Sequence, residues 1–176
     1  LDIDLVSIPV DFETRLIQRE TLEQTVRDLK QSGKKYAIVI ANMATTMFGS
    51  VDDPDLYADV LNDAKMDFKL HVDGAFGGFI YPFDNEESKL NFANPHVSSI
   101  TIDAHKMLQA PYGTGVFMCR KNLIHNVLTK EAQYVEGMDL TLSGSRSGAN
   151  AIAVWMILFK YGPYGWFEKI SILRMR

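Results

Sequence analysis

The chain has 176 residues, 47% of them hydrophobic and 23% charged, with a formal net charge of −4, a balance that suits one folded domain with a sizeable core. There is no basic run of five or more residues, which argues against nucleic acid as a partner; no apolar run approaches the length of a membrane span, and no signal peptide opens the chain. The single cysteine, Cys119, rules out an internal disulfide and fits a reducing, cytoplasmic compartment.

The pattern along the chain alternates between strand and helix. "DLVSIPV", Asp4 to Val10, reads as a short strand closed by a turn through Asp11 to Thr14. "RETLEQTVRDLKQSG" reads as a helix, with Leu22, Val26 and Leu29 at helical spacing and Gly33 as its C-terminal cap. "KYAIVIAN" is a continuous apolar run, the mark of a strand buried on both faces. "DDPDLYADVLNDAK" is a helix with Asp53 as N-cap and Pro54 in its first turn. Strands follow at "FKLHVDGAF", "VSSITIDAH" and "GTGVFMCR", and "ANAIAVWMILFKYG" is a long helix expected to stop at Gly162 and Pro163.

Such alternation predicts an α/β fold, a central, mostly parallel sheet flanked by helices. The loop between "ITIDAH" and "GVFMCR" is too short for a helical crossover, so the alternation is expected to break there. Leu1 enters a strand-like run almost at once and "EKISILRMR" reads as an unfinished helix, so the sequence is expected to be a fragment of a longer protein.

Ligands of open α/β sheets sit at the carboxyl ends of the strands. The polar residues to inspect are therefore Asn42 to Ser50, His71 to Gly78 and Asp103 to Lys106. Asp73 ends an apolar strand. It could make loop hydrogen bonds, cap the next helix, bind a metal or pair with a cation, and the small residues Gly74, Ala75, Gly77 and Gly78 would let a flat group approach the backbone. Lys106 could be a surface lysine, or an amine able to form a Schiff base with a carbonyl. His105 beside it could be a surface histidine, a phosphate donor or a proton carrier. His71 and Asp73 share a strand face, but no third or fourth ligand accompanies them, so no metal is expected.

Asp73 and Lys106 stand 33 positions apart, each at the end of a neighbouring strand. "HVDGAFGG" followed by "SSITIDAHK" resembles the pyridoxal-phosphate enzymes of the aspartate-aminotransferase fold, and most of all the group II amino-acid decarboxylases. Sphingosine-phosphate lyase has a similar pattern, and "LSGSRSGANAIAVW" resembles the segment after the lysine loop in several of these enzymes. The resemblance runs through nearly the whole chain. It implies that residues 1–176 are part of the large domain of a fold-type I enzyme, without its N-terminal segment and its C-terminal small domain.

The same resemblance implies the cofactor, pyridoxal 5'-phosphate, and a role for each residue. Lys106 would carry the cofactor as a Schiff base, and Asp73 would keep the pyridine nitrogen protonated, so that the ring withdraws electrons from the substrate. Ala75 would pack under the ring, Thr46 would lie near it, and His105 would lie close to the phosphate. Thr46 could equally make only a local backbone bond. Asp103 stands where relatives often place a Ser or Asn phosphate donor, a role an ionised carboxylate cannot fill; it would instead turn away or hold His105 in place. Ser145 and Arg146 match a region that reaches the partner subunit's phosphate, yet they could also cap the helix that follows.

The expected activity is decarboxylation of an L-amino acid through the Lys106 Schiff base and a quinonoid, by a cytoplasmic homodimer, the dimer being suggested also by apolar residues around Phe76, Phe79 and Tyr81. An aldehyde-lyase or aminotransferase of the same fold is the alternative, and a cofactor-free α/β interaction module is a third reading.

Overall fold

A computed structural model describes residues 3–84, 88–127 and 146–175. Leu22 and Val26 lie one helical turn apart, and α1 (Arg19–Gln31) buries both against the sheet. Gly33, at φ +88°, sits just past Ser32 at the helix end, in the left-handed region that a residue with a Cβ seldom adopts. In α2 (Pro54–Asp63) the Asp53 carboxylate accepts from the Asp55 N–H at 3.0 Å, and Pro54 occupies the first turn, where no N–H is needed.

Four strands follow the predicted runs: β1 (Tyr36–Asn42), β2 (Asp67–Asp73), β3 (Val97–Asp103) and β4 (Gly115–Cys119). They lie in the order β1-β2-β3-β4, the first three parallel and the last antiparallel to β3. The short connection from β3 to β4 dictates that reversal. A register shift between Leu70 and His71 interrupts the β2–β3 ladder.

Val39, Ala41, Leu70, Val72, Val97 and Ile100 line the covered sheet face and meet Leu22, Val26, Tyr57, Val60 and Leu61 from α1 and α2. The other face of β1 carries Tyr36, Ile38 and Ile40, all exposed among the described residues. Burial of β1 on both faces, as its unbroken apolar run predicts, is therefore not observed within the described residues.

A second, smaller core forms where α4 (Gly148–Arg174) crosses the turn after β3. Ala104, Leu108 and Ala110 pack with Trp166 and Ile170, and the Trp166 indole N–H donates to the Phe79 carbonyl at 2.7 Å.

The structure corrects three further expectations. Asp4–Val10 forms no strand; an isolated antiparallel bridge, Val10 to Ile17, is present, and most of these side chains are exposed with no neighbouring strand among the described residues. The turn after it does form: Asp11 Oδ1 accepts from the N–H groups of Glu13 and Thr14. Gly162 breaks the long helix (φ 58°, ψ −177°), but the helix restarts at Pro163 and runs to Arg174, since proline suits a first helical turn. The α4 N-cap is Ser147, which makes no side-chain cap bond, rather than Ser145 or Arg146. Among the described residues no helix is long and apolar enough to cross a membrane.

Candidate functional site

The parallel strands β1, β2 and β3 end along one edge, and the register aligns Asn42 with Asp73 and Asp73 with Thr101. Asp103 lies two residues further along β3, so it shares the face of Thr101 and Asp73. The edge is stiffened locally. The Met43 N–H donates to the Asp73 carbonyl at 2.8 Å, the Gly74 N–H to the Thr101 carbonyl at 2.8 Å, and the Asp103 N–H to the Ala75 carbonyl at 3.3 Å. Asn42 is fixed through its N–H and Nδ2, both donating to Asp52 Oδ2.

The Asp73 carboxylate accepts from the Ala75 N–H at 3.0 Å through Oδ1. No cation pairs with it among the described residues. Ala75 is thus part of the turn that orients the carboxylate. The glycines after Asp73 serve the chain's own packing. A Cβ on Gly77 would lie 2.1 Å from the Met43 carbonyl oxygen, and one on Gly78 would lie 2.1 Å from Ile102 Cγ2. The turn therefore presses against the chain just past β1 and against β3, and at these two positions it is protein, not a ligand, that occupies the space.

Two residues earlier on the same face, His71 Nδ1 lies 2.8 Å from Ser99 Oγ, and the ring stacks on Phe117. Burial holds the His71 pKa below its usual 6.5, against the opposing pull of Asp73.

Lys106 stands in the turn after β3. Its ammonium lies 2.9 Å from Asp103 Oδ2, and its side chain is 38% exposed. His105 Nε2 is 3.9 Å from the same oxygen, and the His105 ring meets Tyr112 edge-on at 5.1 Å. His105 Nδ1 is buried without a hydrogen-bond partner among the described residues. The sequence offered His105 as a partner for Asp103 but not Lys106, although the i, i+3 spacing was a usable signal.

The structure thus brings Asp73, Ala75, His105 and Lys106 to one sheet edge. Thr46 lies in the exposed loop after β1, where its neighbour Thr45 makes the local bonds to Ser50. Ser145 lies outside the described residues. Among the described residues no group of three or more His, Cys, Asp or Glu is arranged to hold a metal ion. A concavity of about 690 Å³ lies elsewhere, beside α2, and its lining is internally paired, with Lys89 Nζ 2.8 Å from Asp55 Oδ2.

Pyridoxal 5'-phosphate asks for a primary amine, an anion for the ring nitrogen and donors for the phosphate. Lys106, Asp73 and the unpartnered Nδ1 of His105 match these requirements in kind, so the residues present fit the group.

Comparison with known proteins agrees. The chain is similar to tryptophan decarboxylase of Clostridium sporogenes, 65% identical over 176 residues, which are 100% of this chain and 42% of that protein. It is similar to serine decarboxylase 1 of Oryza sativa, 35% identical over 92% of this chain and 34% of that protein. Among solved structures, sphingosine-1-phosphate lyase of Burkholderia pseudomallei superposes with a TM-score of 0.79 at 22% identity, covering 96% of this chain and 38% of that one. Catharanthus roseus tryptophan decarboxylase in complex with L-tryptophan gives a TM-score of 0.71 at 21% identity, covering 92% of this chain and 34% of that one; at these identities the likeness shows the fold. The chain spans less than half the length of each of these relatives. Residues 1–173 match the pyridoxal-dependent decarboxylase conserved domain, and the chain belongs to that family.

Proposed function

We propose that the intact protein is a pyridoxal 5'-phosphate-dependent decarboxylase of an L-amino acid, with tryptophan as the first substrate to test. The carrying observation is the placement of Asp73 and the His105-Lys106 pair at the ends of adjacent parallel strands. The 65% identity to a tryptophan decarboxylase supports the choice of substrate. Residues 1–176 would then be part of the cofactor-binding large domain.

When bound, the cofactor supplies an electron sink that allows the bond between the substrate's α-carbon and its carboxylate to break. Lys106 Nζ is the amine that would hold the cofactor's aldehyde carbon. The Asp73 carboxylate, aimed by the Ala75 N–H, would keep a proton on the ring nitrogen. Ala75 adds only a methyl group beside that carboxylate, which leaves room for a flat ring. His105 would offer its Nδ1–H to a phosphate oxygen, and Thr46 and Ser145 would be further cofactor contacts in this reading.

A cytoplasmic homodimer belongs to the same proposal. The single cysteine supports the compartment. Phe79 and Tyr81 are partly buried against the chain's own clusters and no longer argue for a dimer. The exposed stack of Trp155 on Phe159 in α4 takes their place. Light scattering at micromolar concentration tests it: a monomer would refute the dimer.

The activity test is product analysis with a panel of amino acids. Carbon dioxide and the corresponding amine are expected, tryptamine from tryptophan. An aldehyde product or keto-acid exchange would favour the lyase or aminotransferase alternative instead.

A further inference from the structure

Asp103 is the charged residue at this edge for which the proposed chemistry has no use. A phosphate donor would suit the position, and an ionised carboxylate has no proton to donate. Its oxygen is committed within its own turn: Oδ2 lies 2.9 Å from Lys106 Nζ and 3.9 Å from His105 Nε2. The backbone fixes the carboxylate from both directions. The Asp103 N–H donates to the Ala75 carbonyl at 3.3 Å, and the Lys106 N–H donates to the Asp103 carbonyl at 3.2 Å. Across the β3–β4 ladder stands Gly115, where a Cβ would come within 3.4 Å of Asp103 Oδ1. The Asp103 side chain is 19% exposed while Lys106 is 38% exposed, so the acid is the fixed member of the pair and the amine the one open to solvent.

His105 adds an independent observation. With Nε2 turned toward Asp103 and Tyr112 against the ring, Nδ1 is the nitrogen left buried and, among the described residues, unpartnered. An orphaned polar atom of this kind calls for a partner.

Resting on the decarboxylase reading, we propose that Asp103 is a positioning residue: one carboxylate oxygen pairs with the Lys106 amine at 2.9 Å and faces the His105 ring from 3.9 Å, setting Nζ for the cofactor aldehyde and, through its charge, favouring the imidazolium form whose Nδ1–H is turned to an anionic oxygen. A lysine stem is flexible, so an unheld amine spreads over many rotamers. Joining ammonium to aldehyde gives a protonated C=N nitrogen and one water. Of the three N–H hydrogens, one stays on nitrogen and two leave with the aldehyde oxygen. The nitrogen is cationic before and after, and only in between, when a proton leaves to free the attacking lone pair, does Asp103 face a neutral amine.

The test uses the intact apoprotein mixed with pyridoxal phosphate or with pyridoxal, which lacks the phosphate. Growth of the visible absorbance band reports C=N formation, and borohydride labelling located by mass spectrometry reports its site. Asp103→Ala is expected to slow band growth by about tenfold with both aldehydes, and to reduce the preference for the phosphate ester because His105 also loses the charge it faces. Asp103→Asn keeps an acceptor oxygen in place and is expected to restore most of the rate. Should Asp103→Ala fail to fold by circular dichroism, Asp103→Ser, too short to reach Lys106, replaces it. Equal rates in all proteins overturn the proposal, as does a loss that Asp103→Asn does not relieve. A wild-type protein that takes no label at Lys106 refutes the cofactor reading itself, whereas normal labelling with indifferent Asp103 variants refutes only the role of Asp103.

Discussion

Asp73 and Asp103 end neighbouring strands on the same face of one sheet, yet their surroundings differ. Asp73 is followed by a glycine-rich turn that packs against the chain just past β1 and against β3 and gives its carboxylate one backbone N–H and no cation among the described residues. Asp103 is followed by Ala-His-Lys and takes its cation from three residues away. A carboxylate left without a counter-charge is suited to an incoming cationic group, while one already paired can only orient its partner. The two acids share a residue type and a strand position, and the next three residues separate their roles.

The comparison can be broken most sharply at Lys106. Replacing it with alanine should lower the turnover of the intact enzyme by about 10³-fold or more and abolish borohydride labelling, while amino-acid binding to the cofactor-loaded protein persists. Full activity in Lys106→Ala would remove Lys106 from the chemistry. Next is Asp73→Asn, which keeps the shape and the Ala75 contact but removes the charge. It should reduce turnover by about 10²-fold and weaken cofactor retention on dialysis; unchanged values of both would show that the uncompensated carboxylate is not used.

The packing of the Asp73 turn is tested by Gly77→Ala. Its Cβ would collide with the Met43 carbonyl, a backbone atom with little room to yield, and should cost about 1–3 kcal/mol in chemical denaturation. Gly148→Ala, where a Cβ meets nothing within 4 Å, is the control and should be neutral or slightly stabilising.

His71 gives the smallest effect. Because burial lowers its pKa in the folded chain, the unfolded chain takes up a proton first as pH falls below 6.5. Folded stability is then lost over the interval from 6.5 down to the depressed value and is fully present above it. His71→Asn should flatten that part of the melting-temperature profile, whereas an unchanged slope would show that His71 does not carry it.

Much of this was legible in the sequence because it is local. The Asp53 cap with Pro54, the Gly33 stop and the Leu22–Val26 spacing are short-range rules, and the structure keeps all three. The reversal at β4 was legible for a similar reason, since a short loop cannot cross over the sheet. The edge carrying Asp73 and Lys106 followed from strand ends together with family resemblance.

Other features were not legible because they depend on neighbours distant in sequence. Asp4–Val10 has strand-forming residues, but a strand exists only through its partners, and among the described residues one bridge forms. Gly162 and Pro163 signal a stop, yet Trp166 and Ile170 find the turn beneath them and sustain a second helical stretch. The glycines after Asp73 look like room for a ligand until Met43 and Ile102 are seen to fill it.

By itself, then, the sequence determined the alternating elements, the strand ends and the types of chemistry placed on them, since hydrophobic period and capping act within a few residues. Only the tertiary structure decided what each charge faces: among the described residues Asp73 meets no cation, Asp103 pairs with Lys106 and faces His105, and His105 Nδ1 is buried without a partner. Electrostatic roles depend on distances of a few ångströms and on burial, and both arise only once the sheet has brought its strand ends together.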